Sequence, residues 1–362
     1  VIPQDAVGQD DPLPVWIRLL LGAVAVPLAW LLYHAVERPA LRWRGLRERT
    51  PLVTGVVAAC ASLSLIATAG AVNLSVDEDD ISTDVVAEEV DALETEPAGT
   101  DFVPQNLAPS LEEADDDNPA IYDDGCHRSQ ESTDSSGCQV GDDPQAPLVF
   151  LFGDSHAASW YPALAELAQE GKIRLDVNTK SSCPSAQLPL LLEGVDYTEC
   201  DQWRDGVLER IQEEQPDLVL LANFGAAEPQ LEDDEGDFSA RWREGLEATI
   251  TAIDGPEVGV LADVPHQDET PAVCLSENLE SAQECAVPVD EAFDRGIAEA
   301  EQSAAESAGA EYFDLTPYLC NDRTCPVIIE NLLVYRDGHH LTASFGTRLA
   351  EPLWEEISPA LP

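Results

Sequence analysis

The tetrapeptide Gly153-Asp154-Ser155-His156 stands directly after the apolar run LVFLF and directly before a stretch with helical spacing. A serine at a strand-to-helix turn exposes its hydroxyl at the rim of a sheet. The backbone N–H groups at the helix start, its own included, point into the same space and can stabilise an oxyanion, helped by the helix dipole. Gly153 allows the sharp turn, and Asp154 can cap the helix or pin the loop. The pattern departs from the G-x-S-x-G elbow, because Ala157 stands where the second glycine would be. A plain reading stays open, in which Ser155 is an ordinary N-capping serine. A second cluster, Asp337-Gly338-His339-His340-Leu341, lies near the C-terminus. A hydroxyl needs a base to become a nucleophile near neutral pH, and the base needs an orienting carboxylate. Asp337 and His340 are three residues apart, so one helical turn or tight loop sets them side by side. His340 then serves as base for Ser155 and Asp337 holds its tautomer. His339 is the rival, with a surface or packing histidine as its other reading. His156 is expected to pack or hydrogen-bond locally.

Positioning these groups requires a sheet. From about Pro147, short apolar runs alternate with helical stretches. Strands are predicted at Leu148–Phe152, Arg174–Asn178, Leu218–Ala222, Val258–Ala262 and Glu311–Phe313. Helices are predicted at Ala157–Glu170, Leu208–Glu214 and Trp242–Ile253, with Gly171 as a cap. Continuous apolar strands imply a parallel sheet covered on both faces. The expected fold is a three-layer α/β domain over 146–362. Ligand sites of open parallel sheets lie at the carboxyl ends of the strands, where both polar clusters should fall.

The N-terminal third reads differently. Two apolar stretches, about Val15–Val36 and Leu52–Leu74, are each long enough to cross roughly 30 Å of hydrocarbon. The loop between them carries Arg38, Arg42, Arg44, Arg47 and Arg49, which places it in the cytoplasm by the positive-inside rule. Everything after Leu74 is then extracytoplasmic, and the protein is expected in the cell membrane. With no Met at position 1, the chain is expected to be the C-terminal part of a longer protein. From Asp77 to Asp124 it is acidic, with no Lys or Arg between Arg49 and Arg128, so 76–145 is expected to be an extended linker. Eight of the nine cysteines follow the membrane stretches in close pairs: Cys126/Cys138, Cys183/Cys200, Cys274/Cys285 and Cys320/Cys325. An even count there suggests disulfides in an oxidising compartment. Neighbour pairing is the preferred arrangement among the 105 that eight cysteines allow. No C-x-x-C pair has a histidine at ligand spacing, and no metal or cofactor is expected in this chain. The net charge of −52, from 70 acidic and 18 basic residues, would repel nucleic acid and anionic headgroups. Acidic residues spread along the whole chain suggest adaptation to high salt.

Together, Gly153-Asp154-Ser155-His156 and Asp337-x-x-His340 resemble the SGNH/GDSL hydrolase superfamily in its GDSH-bearing branch. The closer likeness is to the SGNH domain fused behind membrane acyltransferases of the acyltransferase-3 type. It rests on LFGDSHAASWYPAL, Ser182-Cys183-Pro184, Cys200-x-x-Trp203-Arg204, Pro216–Leu220, Asp263-Val264-Pro265, Cys320-x4-Cys325 and Tyr335–Thr342. The resemblance implies Ser155 as nucleophile, His340 as base, Asp337 as its orienter and the Ser155 N–H as one oxyanion donor. It also implies an asparagine donor, for which Asn223 is the candidate. That residue's context, ANFGA, equally suits a turn before Gly225. The family's glycine donor has no clear counterpart. The implied activity is O-acyl transfer: an acyl group, acetyl by preference, moves from acyl-CoA through an upstream membrane acyltransferase to Ser155. From there it passes to a hydroxyl of a cell-surface or secreted glycan. The alternatives are a carbohydrate esterase using the same triad and a non-catalytic glycan-binding domain.

Overall fold

The five predicted strands do form; four are buried on both sides, while Glu311–Phe313 has only Phe313 buried. In the computed structural model, which describes Trp30, His34 and residues 81–89, 92–192, 194–225, 237–267 and 269–362, they belong to one seven-stranded sheet, with Glu311–Phe313 at its edge. We label its strands β1 (His127–Arg128), β2 (Cys138–Val140), β3 (Leu148–Gly153), β4 (Arg174–Lys180), β5 (Leu218–Ala222), β6 (Glu257–Leu261) and β7 (Glu311–Phe313). The order is β1-β4-β3-β5-β6-β7, all parallel, while β2 runs antiparallel along β4. The chain steps from β3 to one side for β4 and then to the other side for β5. The rim above β3 is therefore the topological switch point, where doubly wound sheets form their crevice.

Alternation along β3 sends its side chains into two separate cores. Val149 and Leu151 pack on one face and Phe150 and Phe152 on the other, all fully buried. The first face is covered by α1 (Ser155–Gln169), and two further helices named below pack on α1. The second face is covered by α2 (Thr198–Glu214), α3 (Phe238–Ala252) and, after the short α4 (Pro271–Glu277), α5 (Arg295–Ala308). Trp203, Trp242 and Ile297 are the anchors those three helices contribute. The chain closes with α6 (Ala343–Arg348) and α7 (Ala350–Ile357) against α1. Helices on both faces of the sheet make the expected three-layer α/β fold. Helix α2 begins ten residues before its predicted start, because Cys200 and Trp203 continue its buried stripe towards the N-terminus. Helix α5 carries small alanines on its buried face, a pattern too weakly apolar to stand out in the sequence.

The acidic stretch expected to be a linker is folded over much of its length. Residues from 92 onward pack together with the sheet domain, so the described part of this stretch is not an extended spacer. Val103, Leu111, Ala114 and Ile121 are buried in the same core as α1. The Thr100 N–H donates to Ile328 O (2.9 Å), and the Val103 N–H to Leu279 O (2.8 Å). Four sparse apolar anchors, spaced among exposed carboxylates, suffice to hold a segment whose average composition reads as solvated. β1 and β2 come from its end, and the Cys126–Cys138 disulfide ties them. The other cysteines also pair with their neighbours: Cys183–Cys200, Cys274–Cys285 and Cys320–Cys325. The expected membrane spans, 15–36 and 52–74, lie outside the described residues apart from Trp30 and His34. Among the described residues no helix is long and apolar enough to cross a membrane.

Candidate active site

Strand β3 ends at Gly153, and Ser155 opens α1 with a single residue between them. A Cβ on Gly153 would sit 1.8 Å from the Ala222 carbonyl oxygen, so only glycine lets β5 approach here. Asp154 is the N-cap. Its Oδ1 accepts from the His156 N–H at 2.8 Å and its Oδ2 from the Phe224 N–H at 2.9 Å. One buried carboxyl thus fixes both the start of α1 and the end of β5. Burial pushes that carboxyl up to about 6. Ser155 itself is only partly buried, so its hydroxyl is reachable from the rim.

Across the rim the second cluster folds into a tight loop. Tyr335 and Leu341 bridge its two ends, and the Arg336 N–H donates to the His340 carbonyl at 3.1 Å. Thr342 then caps α6, accepting from the Phe345 N–H, and donates its hydroxyl to Leu333 O at 2.7 Å. Because α6 packs on α1, the loop and the serine share one scaffold. His340 Nε2 lies 2.9 Å from Ser155 Oγ, and His340 Nδ1 lies 2.8 Å from Asp337 Oδ2. Asp337 Oδ1 accepts the backbone N–H groups of His339 (2.9 Å) and His340 (2.8 Å). Arg336 Nη1 pairs with Asp337 Oδ2 at 3.2 Å. Burial opposes charge on Asp337, but His340 and Arg336 outweigh it and hold the carboxyl well below the usual carboxylate range. Burial pushes the His340 imidazole down to about 3, against the pull of Asp337. The result is a neutral imidazole between a hydroxyl and a carboxylate, the state a general base requires.

Asn223 follows β5 on the same rim. Its Oδ1 accepts from Ser185 N–H (2.6 Å) and Ser185 Oγ (2.8 Å), which fixes the orientation of the amide. Its Nδ2 is buried and finds no partner among the described residues. An unpaired buried donor is costly, of order 1–3 kcal/mol, unless something accepts from it. A developing oxyanion is such an acceptor. The turn reading of Asn223 accounts for its oxygen and leaves this nitrogen unexplained.

The sequence did not single out a second aspartate–histidine group behind the first. Asp263, two residues after β6, accepts from His156 Nδ1 in a very short contact, and its Oδ2 lies 3.1 Å from His266 Nε2. His156 Nε2 faces His339 Nδ1 at 3.0 Å, and their rings stack 5.3 Å apart and 8° from parallel, with Phe224 against both. His156 does hydrogen-bond locally in space, although its partner is 107 residues away. His339 is engaged with His156 and does not reach towards Ser155 in place of His340. Burial disfavours charge on His156, but Asp263 outweighs it and raises the imidazole above its ordinary value. A signal for this group was present. Asp263-x-x-His266 repeats the spacing of Asp337-x-x-His340 and likewise follows a strand.

Comparison with known proteins adds a family to this geometry. Residues 125–356 match the model described as SGNH domain (fused to AT3 domains). No curated protein matches the chain. Among solved structures it is similar to the periplasmic domain of a lipopolysaccharide acetyltransferase from Salmonella ser. Paratyphi A. That likeness has 18% identity and a TM-score of 0.47, covering 66% of this chain and 87% of that one. It is also similar to Est24, a carbohydrate acetylesterase from Sinorhizobium meliloti, with 12% identity and a TM-score of 0.36 over 59% of this chain and 99% of that one. Neither reaches a TM-score of 0.5, and the family match stands without them.

Proposed function

The chain belongs to the family of SGNH domains fused to AT3 domains, and from that premise we propose that it is a serine O-acyltransferase acting outside the cytoplasm on a glycan hydroxyl. The observation that carries the chemistry is the unbroken line from Ser155 Oγ through His340 to Asp337, at 2.9 and 2.8 Å. His340 Nε2 takes the hydroxyl proton as Oγ attacks the acyl carbonyl carbon. The carbonyl π electrons move onto oxygen, where the Ser155 N–H and Asn223 Nδ2 donate to the oxyanion. Collapse breaks the bond to the donor, whose leaving oxygen or sulfur takes the proton from His340. The acyl-serine is then attacked by an acceptor hydroxyl, His340 again holding the proton until Ser155 Oγ leaves with it. Asp337 stays ionised throughout and keeps Nδ1–H pointing at itself.

One argument favours transfer over hydrolysis, and others favour a site outside the cytoplasm. An acyltransferase-3 partner domain would deliver acyl groups drawn from cytoplasmic acyl-CoA, and a hydrolase has no use for such a donor. The chain's own apolar stretches at 15–36 and 52–74 suit a domain displayed beyond a bilayer. The disulfides suit the oxidising side of it. The test supplies the full chain, oxidised and in high salt, with an activated acetyl ester and a mixture of oligosaccharides, beside a Ser155→Ala control. A serine-dependent gain of one acetyl group on a sugar supports transfer. Serine-dependent acetate release with no acetylated sugar replaces the reading with a carbohydrate esterase. No difference between the two proteins removes the catalytic reading altogether.

A further inference from the structure

The Asp263 group takes no part in the acyl chemistry derived above, yet it gathers three ligand-type side chains from distant parts of the chain. His156 comes from the start of α1, while Asp263 and His266 come from the segment after β6. One nitrogen from each histidine and one Asp263 oxygen all lie within 4.8 Å of one another. The carboxylate already bridges both imidazoles, through His156 Nδ1 on one oxygen and His266 Nε2 on the other. We infer that His156, Asp263 and His266 form a binding site for a divalent transition-metal ion, Zn²⁺ by ligand type.

The donor set decides the ion. Two imidazoles and one carboxylate suit Zn²⁺ and its neighbours, whereas Ca²⁺ and Mg²⁺ ask for oxygen donors throughout. Bonds of about 2.1 Å in a tetrahedral arrangement place ligand atoms about 3.4 Å apart. The Asp263–His266 separation of 3.1 Å is already near that value, and all three donor atoms lie within 4.8 Å of one another. The ion takes the place of the protons that now join the carboxylate to the imidazoles. The outer contacts that such a site needs are also present. His156 turns its other nitrogen to His339 at 3.0 Å, and Asp263 accepts from the Gly225 N–H at 2.9 Å and the Val264 N–H at 2.8 Å.

Three protein ligands leave a fourth position open, and among the described residues a cavity lies beside Asp263 and His266. A cavity of about 290 Å³ has Gly225, Asp263 and His266 on one wall and Phe293, Ile297 and Tyr312 among its apolar lining. A three-ligand ion facing a cavity has the form of a reactive or ligand-binding site; a purely structural one is closed. The other grouping, His156 with His339 and His340, is the weaker candidate. Both His340 nitrogens are already committed, to Asp337 and to Ser155.

The experiment strips the full chain with a chelator and titrates Zn²⁺ by calorimetry at high salt with excess Mg²⁺, which screens and occupies the acidic surface. In parallel Co²⁺ is added and its visible spectrum recorded. One equivalent of Zn²⁺ and a four- or five-coordinate cobalt spectrum are expected. Asp263→Asn and His266→Ala should each weaken Zn²⁺ binding more than about 100-fold, beyond the loss seen for outer-shell partners. Should Asp263→Asn fail to fold, the partly exposed His266→Ala gives the same readout. Binding unchanged by both substitutions, or binding lost in His340→Ala and kept in His266→Ala, overturns the assignment. So does an absence of any Zn²⁺ binding above that of Mg²⁺.

Discussion

The segments Asp337–His340 and Asp263–His266 share one pattern, an aspartate three residues before a histidine at the rim of the sheet, and they end in opposite states. In the first, the carboxylate serves the histidine of its own segment, and Arg336 stands beside it as a fixed cation. In the second, the carboxylate reaches its own His266 and also His156, and its ion pairs among the described residues are with those two histidines. Asp337 is therefore balanced without a charged imidazole, and burial keeps His340 neutral. Asp263 has no such cation among the described residues, and it raises the His156 imidazole above its ordinary value against the effect of burial. The same pair of residue types leaves one imidazole below the ordinary histidine value and the other above it. The neighbouring charge decides which, together with what the outer nitrogen faces: Ser155 for His340 and His339 for His156.

The sharpest break of that comparison is to remove the first histidine while leaving the others in place. His340→Ala, like Ser155→Ala, should lower acyl-serine formation about 10⁶-fold, as loss of a triad nucleophile or base does. Single-turnover mass spectrometry of the intact protein reads this directly. A loss of only a few tenfold in His340→Ala would mean that His339 or His156 can act as base, and the two segments would not differ in kind. Asp337→Asn comes next, at about 10⁴-fold in kcat, because an amide facing Nδ1 favours the wrong tautomer. Asn223→Ala should cost about 10²–10³-fold in kcat with little change in KM, the size of a lost oxyanion donor. An equal rise in KM would assign the amide to substrate binding.

The smallest effect concerns pH. With His340 pushed down to about 3, the imidazole is the free base throughout the ordinary acid range. The acid limb of kcat/KM should then lie well below the usual histidine value of about 6.5. Arg336→Gln removes the cation beside Asp337, which favours the imidazolium. His340 is then protonated at higher pH, and the acid limb moves upward. A limb that stays put would show that burial alone sets the His340 value.

Much of the primary site was readable because it is local. Gly153–His156 lies at a strand end, and Asp337 and His340 lie in one loop, so each half carries its own geometry. Their meeting was inferred from what a serine needs, and the sheet order supplies the reason: the rim above β3 is where its neighbours part to opposite sides. The Asp263 group was harder to read. Four of the six histidines stand around this rim, yet His156 and Asp263 are 107 residues apart and no local pattern joins them. The acidic stretch misled for another reason. Composition averages over a window, and Val103, Leu111, Ala114 and Ile121 are diluted there among carboxylates that stay in water. Helix α5 escaped notice because alanine contributes so little to an apolar stripe.

By itself the sequence determined what periodicity and nearest neighbours can encode. That includes the continuous apolar strands, a preference for pairing cysteines 5 to 17 residues apart, the turn bearing Ser155 and the Asp337–His340 spacing. Tertiary structure decided everything that depends on which distant groups share a low-dielectric space. It set the orphaned Asn223 amide against the rim and drew the acidic segment into the core. It also gave one aspartate an arginine and the other a second histidine. Charge states in a buried cluster follow from all partners at once, at separations of a few ångströms, and no stretch of chain contains all of those partners.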